Sequence, residues 1–371
     1  MDWIRLRENI EKEAKYDFEN HKVFGSAYLV ACGDKTVKAC FGNNSLHSER
    51  PVTDKTLFRL ASMTKPITAV ATLILVERGL LSLDDGIDRY LPEFRDVKII
   101  DAEGNSRPPR SIPTLRHILT HTSGIGSNYE KLTDMTATDR ATLDAAVAYY
   151  RSKGLDFEPG STQMYSGVGA FDVLTKIIET VSGRDYLTFL KDEILLPLGM
   201  TDTTFLPTEE QWSRMVRMHS KRDGESAEFA MHDGCVFEST PATHFLGGAG
   251  LVSTLSDYAK FARMLLCKGT LDGVRILSEE SVAAMSTPYF PTSDNESWGL
   301  GVRVITSESY PHLPVGSFGW SGAYGSHFWI DPKNDLFAVF MKNSMFDGGA
   351  ANESARSFER AVYTAFPLKK N

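Results

Sequence analysis

An almost wholly apolar run, Pro66 to Val76 (PITAVATLILV), is headed by Ser62-Met63-Thr64-Lys65. The run has no polar face, so it reads as a helix covered on all sides by the rest of the chain. Any fold open to this sequence must build its core around that helix. Glu77-Arg78 and then Gly79 supply its end. Spaced i and i+3, Ser62 and Lys65 lie on one helical face and can meet. A lysine entering a buried helix is costly unless it has a partner or a task. Desolvation lowers its pKa, and a neutral amine can then deprotonate a neighbouring serine. The Ser62 N–H lies at the expected helix N-terminus, where an oxyanion is favoured. Ser62–Lys65 is the only S-x-x-K pair in the chain.

The 371 residues are 42% hydrophobic and 24% charged, ample for a large core. Length suggests two or three domains, or one large domain with an insertion. The net charge of −8, with no basic run, argues against nucleic acid as a partner. The charged N-terminal stretch MDWIRLRENIEKEAKYDFEN lacks the apolar region of a secretory signal. No run reaches the ~18 apolar residues of a membrane-spanning helix. The expectation is therefore a cytoplasmic protein with no membrane partner. Cys32, Cys40, Cys235 and Cys267 show no metal-ligand spacing and are expected to be free thiols.

Strand patterns cluster at the two ends of the chain. Ala27 to Ala31 and Thr36 to Phe41 form a hairpin through Cys32-Gly33-Asp34-Lys35, and Phe58 to Ala61 leads into the buried helix. Trp298 to Thr306 reads as one further strand, and Phe328 to Ile330 and Leu336 to Met341 flank a turn at Asp331 to Asn334. Helical patterns cover 3–20, 114–120, 140–152, 167–181, 185–195, 353–365 and 256–268, the last capped by Ser256 and stopped by Gly269. Gly104 to Pro109 reads as an exposed loop. The expected fold is α+β: an antiparallel sheet built from both ends (1–61 and 246–371), flanked by terminal helices, with a mostly helical insert (62–245). Ser62 then falls at the seam.

Three other segments carry candidate chemistry. Tyr165, between the turn Glu158-Pro159-Gly160 and a helix at Gly167, is placed to point into a cleft, where a nearby lysine would lower its pKa. Gly319-Trp320-Ser321-Gly322-Ala323-Tyr324-Gly325-Ser326 suggests a strand that a ligand approaches closely, with a backbone N–H at Ala323 for an oxyanion. Gly247-Gly248-Ala249-Gly250-Leu251 fails the phosphate-loop pattern and reads as a tight turn beneath the site. No G-x-S-x-G elbow occurs, so His121, in Thr120-His121-Thr122-Ser123-Gly124, reads as a structural histidine bonding its turn.

Taken in order, FRLASMTK, ILTHTSGI, FEPGSTQMYSG, GGAGLVST and GWSGAYGS resemble the serine β-lactamase and penicillin-binding-protein superfamily. The likeness is to its class C-like branch, and within it to family VIII carboxylesterases. The resemblance implies Ser62 as acylated nucleophile, Lys65 as its proton partner, and Tyr165, from the family's Y-x-N motif, as general base and then acid. It implies an oxyanion hole from the Ser62 and Ala323 amides, substrate contacts at Trp320, Ser321 and Gly322, and no metal or organic cofactor. Two positions depart from the pattern. Gly167 replaces the asparagine of Y-x-N, and Trp320 replaces the lysine of K-T-G. An uncharged wall suits small carboxylic esters better than a drug carboxylate. The expected activity is therefore ester hydrolysis through acyl-Ser62, with a β-lactamase, a D-amino acid peptidase or amidase, a non-catalytic scaffold and a Ser-His-Asp hydrolase as rivals.

Overall fold

Alternation along the first strand sets the layering of the whole molecule. In the computed structural model, which describes residues 2–229, 244–349 and 352–366, β1 (Gly25–Cys32) is buried on both faces. Ala27, Leu29 and Ala31 join one core, and Tyr28 and Val30 join another, as period-two geometry requires. β1 pairs with β2 (Lys35–Gly42) and, on its other edge, with a strand from the far end of the chain.

The remaining strands follow as β3 (Phe290–Pro291), β4 (Glu296–Trp298), β5 (Arg303–Ile305), β6 (Phe318–Ser321), β7 (His327–Asp331) and β8 (Leu336–Met341). Together they make one antiparallel eight-stranded sheet in the order β3-β4-β5-β6-β7-β8-β1-β2. Every strand of this sheet lies within 1–61 or 246–371. The register Leu29↔Val339 closes the sheet between the chain's two ends. The expectation of a single strand over Trp298 to Thr306 fails. Gly299 to Val302 folds back as a hairpin, because Gly301 takes φ +72°, a left-handed conformation that costs glycine little. That hairpin reaches the central helix: a Cβ on Gly301 would lie 2.7 Å from the Ala69 methyl.

Terminal helices cover one face. In α1 (Trp3–Glu19), Leu6, Ile10 and Ala14 form a stripe at i+4 spacing, and Asp2 caps the helix by accepting from the Arg5 N–H. The opposite face carries α2 (Thr64–Glu77), buried along nearly its whole length, and α4 (Leu255–Leu266). α3 (Gly169–Ser182) packs against α2, and α5 (Glu353–Ala365) packs beside α1. Apart from α3, the segment between residues 80 and 229 is a series of shorter helices and turns with two small β pairs. One of them, Ile99–Ile100 with Ser106–Arg107, falls partly inside the expected Gly104 to Pro109 loop. Among the described residues, no helix is long and apolar enough to cross a membrane. Cys32, Cys40 and Cys267 are free, and Cys235 lies outside the described residues.

The cap of α4 also differs from expectation. Thr254, not Ser256, accepts from the N–H of Asp257. Ser256 instead donates to Asp54. The reason is tertiary. Val252–Thr254 pairs with Leu57–Arg59, and that pairing extends the backbone up to Thr254 and leaves it in the conformation a cap needs. Thr254→Ala should therefore lower unfolding stability by ~1 kcal/mol in urea titration, and Ser256→Ala by a few tenths.

Candidate active site

The two-stranded ribbon delivers the chain to Ser62. Leu57–Arg59 is held on its other side by Asn343, whose side chain accepts from the Arg59 N–H at 2.8 Å and donates to the Arg59 carbonyl at 2.9 Å. The backbone then turns through Ala61, at φ +45°. A left-handed alanine is strained by roughly 1–2 kcal/mol. The surrounding contacts hold it there: Leu60 donates to the Leu251 carbonyl at 2.9 Å, and the Tyr258 hydroxyl donates to Met63 O at 2.9 Å. Ser62 therefore sits in a 3-10 turn, Ala61–Met63, with the α-helix beginning at Thr64. It is not itself an α-helical first residue, as the sequence suggests, although the turn continues directly into α2.

Lys65 is fully buried, and its amine lies 3.3 Å from Ser62 Oγ. Two carbonyls hold it, Gly167 O at 2.5 Å and Gly248 O at 2.8 Å. Burial lowers its pKa from 10.5 to about 7, against the opposing pull of the Asp172 carboxylate. A neutral amine has two protons and one lone pair. With both protons given to the glycine carbonyls, the lone pair is left facing Ser62.

Tyr165 donates to Ser62 Oγ at 2.7 Å. Its loop is gripped by His121, whose carbonyl accepts from the Met164 N–H at 3.0 Å and whose Nδ1 accepts from the Ser166 N–H at 3.2 Å. The His121 ring packs against Tyr165 at 4.5 Å. Burial and the charge of Lys65 hold the His121 pKa well below its usual range, so the ring is neutral and its Nδ1 can accept. The expected lowering of the Tyr165 pKa does not occur. Enclosure of its hydroxyl raises the pKa to about 12, with Ser62 and the Trp320 side chain pulling the other way. Tyr165 is thus a neutral phenol in the resting site.

Trp320, near the end of β6, packs at a tilt against Trp298 and Tyr165, with ring centroids 4.8 and 5.5 Å away. Its indole N–H faces the Tyr165 hydroxyl without reaching hydrogen-bond geometry, and the nitrogen is buried without a partner. Ser321 is a correction. Its hydroxyl turns to the other face of the sheet, 2.8 Å from His327 Nδ1, and His327 Nε2 lies 3.0 Å from Glu359. Strand alternation dictates this: if Trp320 lines the cleft, Ser321 cannot. Gly322 packs so closely on the start of the 3-10 turn that a Cβ would lie 2.3 Å from Leu60 O. That close approach brings the end of β6 against the start of the turn that carries Ser62.

Sequence reasoning missed the carbonyls of Gly167 and Gly248, the wall residue Trp298 and the clasp formed by His121. A Gly-Gly pair in a segment already read as lying beneath the site was the one available signal for Gly248. Among the described residues, no group of three or more His, Cys, Asp or Glu is placed to hold a metal ion.

With this geometry in place, the comparisons with known proteins decide the family. The family pattern described as Beta-lactamase matches residues 6–360. The chain belongs to the Beta-lactamase family. Its relatives include protein Rv1367c of Mycobacterium tuberculosis, 33% identical over 81% of this chain and 80% of that protein. Esterase EstB of Burkholderia gladioli is 29% identical over 94% of this chain and 93% of its own length. Among solved structures, that of EstCE1, a hydrolase with promiscuous acyltransferase activity, shares the fold with a TM-score of 0.83 at 23% identity, covering 97% of this chain and 98% of that one. Within the β-lactamase and transpeptidase-like superfamily, these neighbours are consistent with the family VIII esterase-like branch.

The amine at the centre of this β-lactamase-type site carries a stability cost that depends on pH. With a folded pKa near 7 and an ordinary value of 10.5, the unfolded chain binds more protons between those limits. The cost of Lys65 is full below about pH 7 and fades as pH rises toward 10.5. The stability difference between wild type and Lys65→Met should therefore move in favour of the wild type on going from pH ~6 to ~10, by a few kcal/mol. Urea denaturation of both proteins across that range checks it.

Proposed function

We propose that this protein is a serine esterase that cleaves small, uncharged carboxylic esters through an acyl-Ser62 intermediate. One observation carries the reading: a buried amine with a pKa of about 7, pinned by two carbonyls, lies 3.3 Å from a serine hydroxyl. An esterase among its relatives supports the substrate class. So does Trp320, which brings an aromatic wall and an unpaired N–H donor where the superfamily pattern has a lysine.

In this mechanism Lys65 takes the Ser62 proton as Oγ attacks the ester carbonyl. The oxyanion forms against the backbone N–H groups of Ser62 and Ala323, neither of which has a backbone acceptor among the described residues. As the tetrahedral intermediate collapses, Tyr165 gives its proton to the departing alkoxide. The acyl-enzyme then holds a Lys65 ammonium and a Tyr165 phenolate. With its pKa raised to about 12, that phenolate is a strong base, and it takes a proton from the incoming water. Collapse of the second intermediate returns the Lys65 proton to Ser62 Oγ, releasing the acid and restoring the starting state.

Hydrolysis of p-nitrophenyl acetate and butyrate tests the assignment. Wild type should turn over both, and Ser62→Ala should lose at least ~10³-fold in kcat/KM. Equal activity in the two proteins removes Ser62 as nucleophile. Nitrocefin cleavage much faster than ester cleavage transfers the reading to β-lactams. The base must be deprotonated, so kcat/KM should fall below about pH 7, where Lys65 takes up its proton. Tyr165→Phe should cut kcat/KM by ~10²–10⁴ while keeping that acid limb in place. A limb that moves by more than a unit would show that Tyr165, not Lys65, sets it.

A further inference from the structure

Gly167 stands where the superfamily's Y-x-N pattern has an asparagine, and the space of that missing side chain is not empty. A Cβ built on Gly167 would lie 2.1 Å from the hydroxyl oxygen of Tyr129 and 3.2 Å from its Cζ. The phenol therefore occupies the volume a side chain at 167 would need, and the two exclude each other.

Tyr129 comes from a different segment, and that segment is held in place. Asp156 accepts from the backbone N–H groups of Ser127 and Asn128 at 2.9 and 2.8 Å and pairs with Lys131 at 2.9 Å. The Asn128 side chain caps the short turn Tyr129–Leu132 by accepting from the Glu130 N–H. The Tyr129 residue is 58% exposed, but its hydroxyl end is tucked against Gly167 and near Tyr165, whose charge would oppose its ionisation. Burial of the hydroxyl raises its pKa, so Tyr129 keeps its proton.

The hydrogen-bonding roles then follow. The Gly167 N–H lies toward the phenol oxygen, short of hydrogen-bond geometry. Its own proton has no acceptor among the described residues. An asparagine presents an amide donor and a separate carbonyl acceptor, whereas this phenol presents one hydroxyl, its oxygen already turned toward the Gly167 N–H and its proton free for a ligand. Trp320 adds a second donor, an indole N–H in a residue only 9% exposed, again without a partner. A buried donor left unpaired costs free energy that an acceptor on a ligand recovers.

We propose that Tyr129 is a specificity-determining residue, whose hydroxyl selects esters carrying an additional oxygen acceptor, such as an alkoxy or keto group, close to the scissile bond. The proposal rests on the esterase reading above. It concerns which esters are preferred, not whether Ser62 is acylated.

The test uses substrate pairs that differ by one oxygen for a methylene. p-Nitrophenyl methoxyacetate and butyrate probe the acyl side, and 2-methoxyethyl and butyl acetate probe the alcohol side. Taking each substrate relative to wild type cancels its intrinsic reactivity. Tyr129→Phe removes only the hydroxyl, and should lower kcat/KM for the oxygen-bearing member of one pair by about five- to ten-fold more than for its partner. Gly167→Ala should reproduce that loss of discrimination, because its methyl displaces the phenol. A wild-type ratio in both pairs for both variants overturns the proposal. Labelling with a fluorophosphonate separates the two levels. If Ser62 is labelled normally while the ratios stay fixed, the specificity role falls and the esterase reading stands. If wild type is neither labelled nor active on any ester, the esterase reading itself falls.

Discussion

The amine of Lys65 is the point on which the rest of this site depends. A charged ammonium cannot be enclosed among α2, α3 and the Gly247–Gly248 turn without a large desolvation cost. The protein lowers that cost in two ways. It supplies carbonyl acceptors from Gly167 and Gly248, and it leaves the pKa near 7, so the neutral form is accessible. Each measure has a structural consequence. The carbonyls tie α2 to the start of α3 and to the loop before β-ribbon residue Val252. The lowered pKa makes a neutral amine accessible 3.3 Å from Ser62 Oγ.

The same economy appears in how the backbone is brought close. Gly322 lets the end of β6 lie against Leu60, Gly301 lets the β4–β5 hairpin press on α2, and Gly248 packs under the Lys65 amine. At each of these positions a side chain would separate the layers that meet at the seam. Strain at Ala61 and His121, both at positive φ, falls beside Ser62 and beside the Tyr165 loop. Such outliers persist only where neighbours over-determine them. Here those neighbours are Leu251, Tyr258 and the hydrogen bonds that bracket Tyr165.

Much of this was legible in the sequence, and the misses have physical causes. The spacing of Ser62 and Lys65, the apolar run after them and the Trp320 departure can all be read from the chain, because each depends on local periodicity or on residue chemistry. The cap of α4 could not be, since Ser256 and Thr254 are both good caps and only the pairing of Leu57–Arg59 with Val252–Thr254 chooses between them. The strand expected over Trp298 to Thr306 breaks at a glycine whose hairpin is fixed by contact with α2. Ser321 was assigned to the cleft by its motif, but alternation after Trp320 sends it to His327. The Tyr165 pKa moved opposite to expectation because enclosure of the hydroxyl outweighs the lowering by its Ser62 and Trp320 neighbours.

The sequence alone determined which groups could do chemistry: a serine and a lysine one helical turn apart, a tyrosine between a turn and a helix, a tryptophan in place of a lysine. These are local facts, set by spacing along the chain. Only the tertiary structure decided their states. The proton affinity of Lys65 depends on burial by residues more than a hundred positions away. Whether Tyr165 keeps its proton depends on what encloses its hydroxyl, and what fills the space at Gly167 depends on Tyr129, in a segment held by Asp156. Proton affinity and shape are properties of the environment. In this chain that environment is assembled from segments that meet only once the sheet closes its two ends together.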